Sequence, residues 1–67
     1  MKTIKIRIPT MHSQHCQTRV TKSIEETGAE LVNIQPGLAE VMISSEEDQH
    51  TVLAAIEKIG YPADVVA

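Results

Sequence analysis

Aromatic residues are almost missing from this sequence, which has no Phe, no Trp and one Tyr in 67 residues. A chain of this length buries only about 60% of the surface that its unfolded form exposes, so its core is thin. That core must be built from aliphatic side chains and methionine. Stacking of bases on aromatic rings, a common way to bind single-stranded nucleic acid, is also excluded.

Positive charge is scarce as well. Six Lys and Arg residues stand against nine Asp and Glu, which gives a formal net charge of -3. A protein with this balance lacks the basic field that attracts phosphate backbones. Its basic residues also form no cluster that would bind an anionic membrane surface. We therefore expect no nucleic-acid partner.

Cysteine occurs once, and long apolar runs do not occur. A single Cys excludes an intramolecular disulfide and suits a reducing compartment. The first eight residues alternate charged side chains with Ile, which is unlike a signal peptide or a membrane span. The sequence predicts a cytoplasmic protein without membrane insertion, folded as one domain over residues 1–67.

The first part of the chain has the pattern of a strand followed by a helix. Apolar residues recur at every second position from Ile4 to Ile8, which is the spacing of a strand with one wet face. They recur at every fourth position from Cys16 to Ile24, which is helical spacing. Ser13 is the expected N-cap of that helix.

The middle of the chain predicts a hairpin and a second helix. Pro36-Gly37 is a turn signal between two β-rich runs, over residues 29–35 and 40–43. The segment Ser44-Ser45-Glu46-Glu47 matches a capping box. A helix is expected to follow and to end at Gly60.

The last residues predict a short strand. Tyr61, Ala63 and Val65 alternate in strand fashion, and Pro62 places this strand at an edge of the sheet. The element order is therefore strand, helix, strand, strand, helix, strand. It predicts an α+β protein with a ferredoxin-like βαββαβ sandwich, in which a four-stranded antiparallel sheet carries both helices on one face.

The segment richest in chemistry is the predicted turn between the first strand and the first helix. Met11, His12, His15 and Cys16 lie within six residues. Imidazole suits copper, zinc and nickel, and thiolate suits soft ions. Cys16 is expected in the first helical turn, where free N–H groups favour a thiolate, and Arg19 one turn on is expected to help. This turn is a candidate metal site.

Over nearly its whole length the chain resembles the heavy-metal-associated domain family, which includes small copper chaperones and the N-terminal modules of metal-transporting ATPases. The family carries Met-x-Cys-x-x-Cys in the first strand-to-helix loop, and Met11 and Cys16 occupy the first and last places of that motif. Residues 55–63 look like the family's Ala-Ile-x-x-x-Gly-Tyr-x-Ala ending. The resemblance implies that Tyr61 lies beside the metal loop, as in bacterial members.

The resemblance breaks at the first ligand, because Ser13 stands where the family has Cys. A hydroxyl is a much poorer partner than a thiolate for Cu(I), so the usual two-thiolate site cannot form in one chain. Either His12 or His15 could replace the missing sulfur, and His15 is preferred. Both could instead be solvated, and Cys16 could be a small, partly buried residue without a role.

The remaining two candidates have structural explanations. Ser13 is best explained as a helix cap, worth about 1 kcal/mol against alanine. Met11 could be a thioether ligand for Cu(I), but in the family this Met mostly packs inward beneath the loop. We favour inward packing. The candidate metal-site residues are Cys16, His15, His12, Ser13 and Met11.

The preferred interpretation is a binder or carrier of a soft metal ion, Cu(I) first and Zn(II) as the alternative. A tetrahedral Zn(II) site wants four donors, which a homodimer bridged by the metal would supply from two copies of Cys16 and of a His. Basic residues Arg19 and Lys22 could steer docking to an acidic face of another metal-binding module, such as one of a metal-transporting ATPase.

Two other classes of function bear on the same residues. A Cys and a His resemble a nucleophile and base only in composition, since catalysis also wants an orienting acid and a pocket, so no enzyme is expected. The competing hypothesis is a protein-interaction module that keeps the fold without binding metal.

Overall fold

Four strands and two helices follow one another in the predicted order. The computed structural model describes residues 2–66, so Met1 and Ala67, the two ends of the predicted 1–67 domain, lie outside the described residues. The elements are β1 Lys2–Arg7, α1 Gln14–Glu26, β2 Glu30–Gln35, β3 Leu38–Ile43, α2 Glu46–Lys58 and β4 Asp64–Val66. Within the described residues, neither helix is long and apolar enough to cross a membrane.

The strands form one antiparallel sheet in the order β2-β3-β1-β4. Its register places Ala39 beside Ile6 on one side and beside Ile34 on the other. Val65 of β4 extends the same row beyond Ile6. Cross-strand neighbours of this kind stabilise a sheet, and this apolar row points to the helices.

Both helices cover the same face of the sheet, as predicted. Val20 and Ile24 of α1 and Val52 and Ile56 of α2 are fully buried, in one cluster with the inward residues of β1 and β3. Burial of such a side chain is worth about 1.5–3 kcal/mol. The ferredoxin-like βαββαβ fold predicted from the sequence is confirmed.

Strand β2 reaches the core through a bulge. Its two core-facing residues, Leu31 and Ile34, are three positions apart, which a regular strand would place on opposite faces. The pairing with β3 shifts register between Leu31 and Asn33, and Val32 is left 50% exposed. The extra residue brings both apolar side chains to the core.

The second helix is capped one residue later than the sequence pattern suggested. The Ser45 hydroxyl accepts from the Asp48 N–H at 3.4 Å, and the Asp48 carboxylate accepts from the Ser44 N–H at 3.0 Å. The predicted capping box over Ser44 to Glu47 is therefore wrong. Because α2 begins at Glu46, the third helical residue is Asp48 and not Glu47.

Tyr61 does not belong to the closing strand, contrary to the prediction. Strand β4 is limited to Asp64–Val66. The Tyr61 N–H donates to the Ile56 carbonyl at 3.3 Å, and the Gly60 N–H donates to the Glu57 carbonyl at 2.9 Å. These two bonds form a Schellman motif, with Gly60 at a φ of 96°. The end of α2 therefore sets the position of Tyr61.

Candidate metal centre

The loop between β1 and α1 is tied to the turn between β2 and β3. The Ile8 N–H donates to the Gly37 carbonyl, and the Gly37 N–H donates to the Met11 carbonyl, both at 2.8 Å. The Met11 side chain is 0% exposed and belongs to the core cluster. Met11 thus packs beneath the loop, the arrangement that the sequence analysis favoured.

Ser13 and Cys16 are joined by two hydrogen bonds. Helix α1 begins at Gln14, so Ser13 is its N-cap and Cys16 lies in its first turn, both as predicted. The Ser13 Oγ accepts from the Cys16 N–H at 3.2 Å. The same hydroxyl donates to the Cys16 Sγ at 3.3 Å. It is oriented to stabilise a negative charge on the sulfur.

The surroundings of Cys16 favour its thiolate. The hydrogen bond from Ser13 is the largest influence, followed by the interaction with the Tyr61 hydroxyl, and backbone groups of Ser13 and His12 act in the same direction. Together, and against partial desolvation, they lower the pKa of the Cys16 thiol from 9.0 to about 7. A large fraction of the Cys16 thiol is therefore thiolate near neutral pH, and the thiolate is the form of cysteine that binds metals.

Tyr61 and Arg19 complete the surroundings of the sulfur. The Ser13 hydroxyl donates to the sulfur at 3.3 Å and has the largest effect on the pKa of the thiol, and the Tyr61 hydroxyl has the next largest. The contact with Cys16 raises the pKa of Tyr61 in turn. The Arg19 Cζ lies 5.8 Å from the centroid of the Tyr61 ring, within cation–π range. Arg19 follows Cys16 by three residues on α1, and the ring of Tyr61 is its cation–π partner.

The two histidines of the loop are both exposed. His15 is the second residue of α1, whereas His12 lies before the cap and its N–H donates to the Thr10 carbonyl at 3.1 Å. His15 therefore shares the first turn of α1 with Cys16, whereas His12 belongs to the preceding loop. Within residues 2–66, no three His, Cys, Asp or Glu side chains come together as a metal-binding group.

Cys16 is partly exposed and packs against the core cluster. One depression of about 80 Å³ is bordered by Gly28, Ser44 and Asp48, on connections at the other end of the helices. A shallower groove of about 350 Å³ runs beside α1, between Lys22 and Ile34. Neither depression includes Cys16.

Solved structures share this fold. The oxidized MerP of Ralstonia metallidurans CH34 is 19% identical, covering 98% of this chain and 97% of its own, with a TM-score of 0.79. A chain described under "Crosstalk between Cu(I) and Zn(II) homeostasis" is 21% identical, covering 98% and 100%, with a TM-score of 0.78. A copper binding domain from HMA7, a P-type ATPase, is 17% identical, covering 100% and 96%, with a TM-score of 0.78.

Sequence comparison identifies the family. No curated protein sequence matches the chain. The model of the heavy-metal-associated domain matches residues 5–62, from within β1 to just before β4. This match spans far more than half of the 67 residues and includes the loop and Tyr61. The chain belongs to the heavy-metal-associated domain family, whose members bind metal ions.

Proposed function

We propose that this protein binds and carries a soft metal ion at Cys16, with Cu(I) as the preferred cation and Zn(II) as the alternative. The observation that supports the proposal most is the thiol itself, in the first turn of α1, with a hydroxyl donating to its sulfur at 3.3 Å and its pKa lowered to about 7. Cu(I) is a soft ion that prefers sulfur ligands.

The other candidate residues take different roles in this proposal. His15 is the preferred second ligand because it precedes Cys16 in the same helical turn, and His12 is the alternative. Ser13 donates to the sulfur and caps the helix, so it acts as a supporting group. Met11 supports the loop from the core. One thiolate replaces the family's two, so binding by a single chain is weaker than in family members with both.

A second copy of the chain can complete the site. One thiolate and one imidazole satisfy a two-coordinate ion, whereas a tetrahedral Zn(II) ion takes four donors. Two loops around a two-fold axis would supply two Cys16 thiolates and two imidazoles. The partial exposure of Cys16 supports this metal-bridged homodimer.

A carrier needs an acceptor, and we propose another metal-binding module in that role, such as a domain of a metal-transporting ATPase. The similarity to a copper binding domain of a P-type ATPase supports this choice. Arg19 and Lys22 follow Cys16 on α1 and would favour an acidic docking face. The lone free thiol suits a cytoplasmic location, where thiols stay reduced. Transfer by ligand exchange requires no enzymatic step.

A competition titration tests metal binding. The reduced protein is titrated with Cu(I), and separately with Zn(II), against a chelator of known affinity. Cys16→Ala should abolish binding and His15→Ala should weaken it, whereas His50→Ala on α2 serves as the matched control and should change nothing. Absence of binding by the parent protein would support the metal-free interaction module instead.

The mass in solution tests the bridged dimer. The fully loaded protein should sediment with twice the mass of the apo protein, and Cys16→Ala should remain monomeric under the same conditions. A monomeric mass at full loading would contradict the dimer without contradicting metal binding by one chain.

A further inference from the structure

The backbone of Tyr61 is held at the end of α2, and its side chain is only partly buried. The Schellman motif at the end of α2 holds its N–H against the Ile56 carbonyl. The side chain packs against the edge of the core and is only partly buried. A phenol ring in such a place can turn toward solvent unless another contact holds it.

Arg19 provides that contact. It lies three residues after Cys16 on α1, so the two side chains occupy the same side of the helix. Its Cζ is 5.8 Å from the Tyr61 ring centroid. A guanidinium at this distance is attracted to the face of the ring.

From this arrangement we propose that Arg19 is a positioning residue, which holds the ring of Tyr61 beside the Cys16 sulfur. The inference rests on the proposed function of Cys16 as a metal ligand and deepens it. Cys16 and Tyr61 pack against the same core cluster, and Arg19 lies over the Tyr61 ring from the side of α1 that carries Cys16. Through the ring, Arg19 can therefore influence the surroundings of the sulfur.

By holding Tyr61 in place, Arg19 should help the site to retain its metal. Groups that hydrogen-bond to a metal ligand orient it and tune its strength as a donor. With Ser13 on one side of the sulfur and Tyr61 as a second hydroxyl partner, the bound thiolate keeps a defined direction. Loss of Arg19 would leave Ser13 in place and release the second partner.

The test separates position from charge. Nuclear Overhauser effects between the Tyr61 ring protons and the Cys16 β protons are measured in the metal-free protein. They should be present in the parent, lost in Arg19→Gln and kept in Arg19→Lys, which retains a cation. Lys22→Gln removes the same charge one turn further along α1 and should leave them unchanged. Unchanged effects in Arg19→Gln would overturn the proposal.

A double-mutant measurement tests the functional part. Arg19→Gln should lower Cu(I) affinity by at most about two- to five-fold, because the free energy of an exposed cation–π contact limits what its loss can change. In the Tyr61→Phe background, where the hydroxyl is already missing, Arg19→Gln should cause no further loss. An equal loss in both backgrounds would show that Arg19 acts by its charge and would overturn the proposal. If the parent binds no Cu(I), the proposed function fails, and the Overhauser effects still decide the position of Tyr61.

Discussion

The hydroxyl of Ser13 both accepts from the Cys16 N–H, at 3.2 Å, and donates to the Cys16 Sγ, at 3.3 Å. One side chain therefore caps helix α1 and stabilises the thiolate in its first turn. The family motif implies a cysteine at this position in other members. The proposed site therefore has one thiol, together with a hydroxyl that stabilises its thiolate.

Removing this hydroxyl should make Cys16 less reactive near neutral pH. The pKa of the thiol is about 7 and should rise toward 9.0 in Ser13→Ala, because the largest stabilising contact of the thiolate is lost. Only the thiolate is alkylated, so at pH 7 the rate should fall and the midpoint of the rate profile should move to higher pH. Iodoacetamide labelling across neutral and alkaline pH measures both.

Ser45→Ala is the matched control for this experiment. It removes the N-cap of α2, and each of the two variants should lose about 1 kcal/mol of stability in urea unfolding. The thiol midpoint should move only in Ser13→Ala. An unchanged midpoint in that variant would contradict the role assigned to the Ser13 hydroxyl.

Restoring the second cysteine should strengthen metal binding. Ser13→Cys recreates Met-x-Cys-x-x-Cys and offers Cu(I) two thiolates from one chain. Loss of a residue that only hydrogen-bonds to a metal ligand changes metal affinity by roughly 10- to 100-fold. A new direct ligand should raise the Cu(I) affinity by more than that. The loaded variant should also be monomeric. Ser45→Cys adds a thiol at the other helix cap and should give neither effect, and equal affinities of Ser13→Cys and the parent would contradict the account.

Substitutions at the buried Met11 can show whether its side chain only packs in the core or also binds the metal. Met11→Leu keeps the volume and should lose less than about 1.5 kcal/mol, whereas Met11→Ala opens a cavity and should lose about 2–5 kcal/mol. Urea unfolding measures both. Met11→Leu should retain Cu(I), and a folded Leu variant that no longer binds Cu(I) would show that the thioether is a ligand.

The turn at the end of α2 should matter for the site, because it sets the position of Tyr61. Gly60 has a φ of 96°, and an alanine there should lose about 1–2 kcal/mol although a Cβ would meet no atom within 4 Å. Gly28→Ala, at a φ of 88° after α1, should lose a similar amount. Thiol reactivity should fall only in Gly60→Ala, and equal reactivity in the two variants would contradict the role of this turn.

Local patterns were sufficient to predict the fold. The alternation from Ile4 to Ile8 and the four-residue spacing from Cys16 to Ile24 correspond to β1 and α1. The capping box was predicted at the wrong register because Ser44 and Ser45 are both possible N-caps. Helix α2 begins at Glu46, so Ser45 is the N-cap. The alternation of Tyr61 with Ala63 and Val65 suggests a strand. Tyr61 instead belongs to the turn that Gly60 forms at the end of α2.

The site was predictable only where it is local. The cap on Ser13 and the place of Cys16 follow from a few neighbouring residues. The contact of Arg19 with Tyr61 joins the first helix to the end of the second, and no spacing in the sequence indicates it. The bonds from Gly37 to the loop are likewise long-range, so they emerge only from the folded sheet.

The copper K-edge X-ray absorption spectrum of the reduced, Cu(I)-loaded protein tests the central claim most directly. The account predicts sulfur and imidazole nitrogen in the first coordination shell of the parent, and no copper retained by Cys16→Ala. A shell of oxygen and nitrogen alone, identical in the parent and in Cys16→Ala, would contradict it.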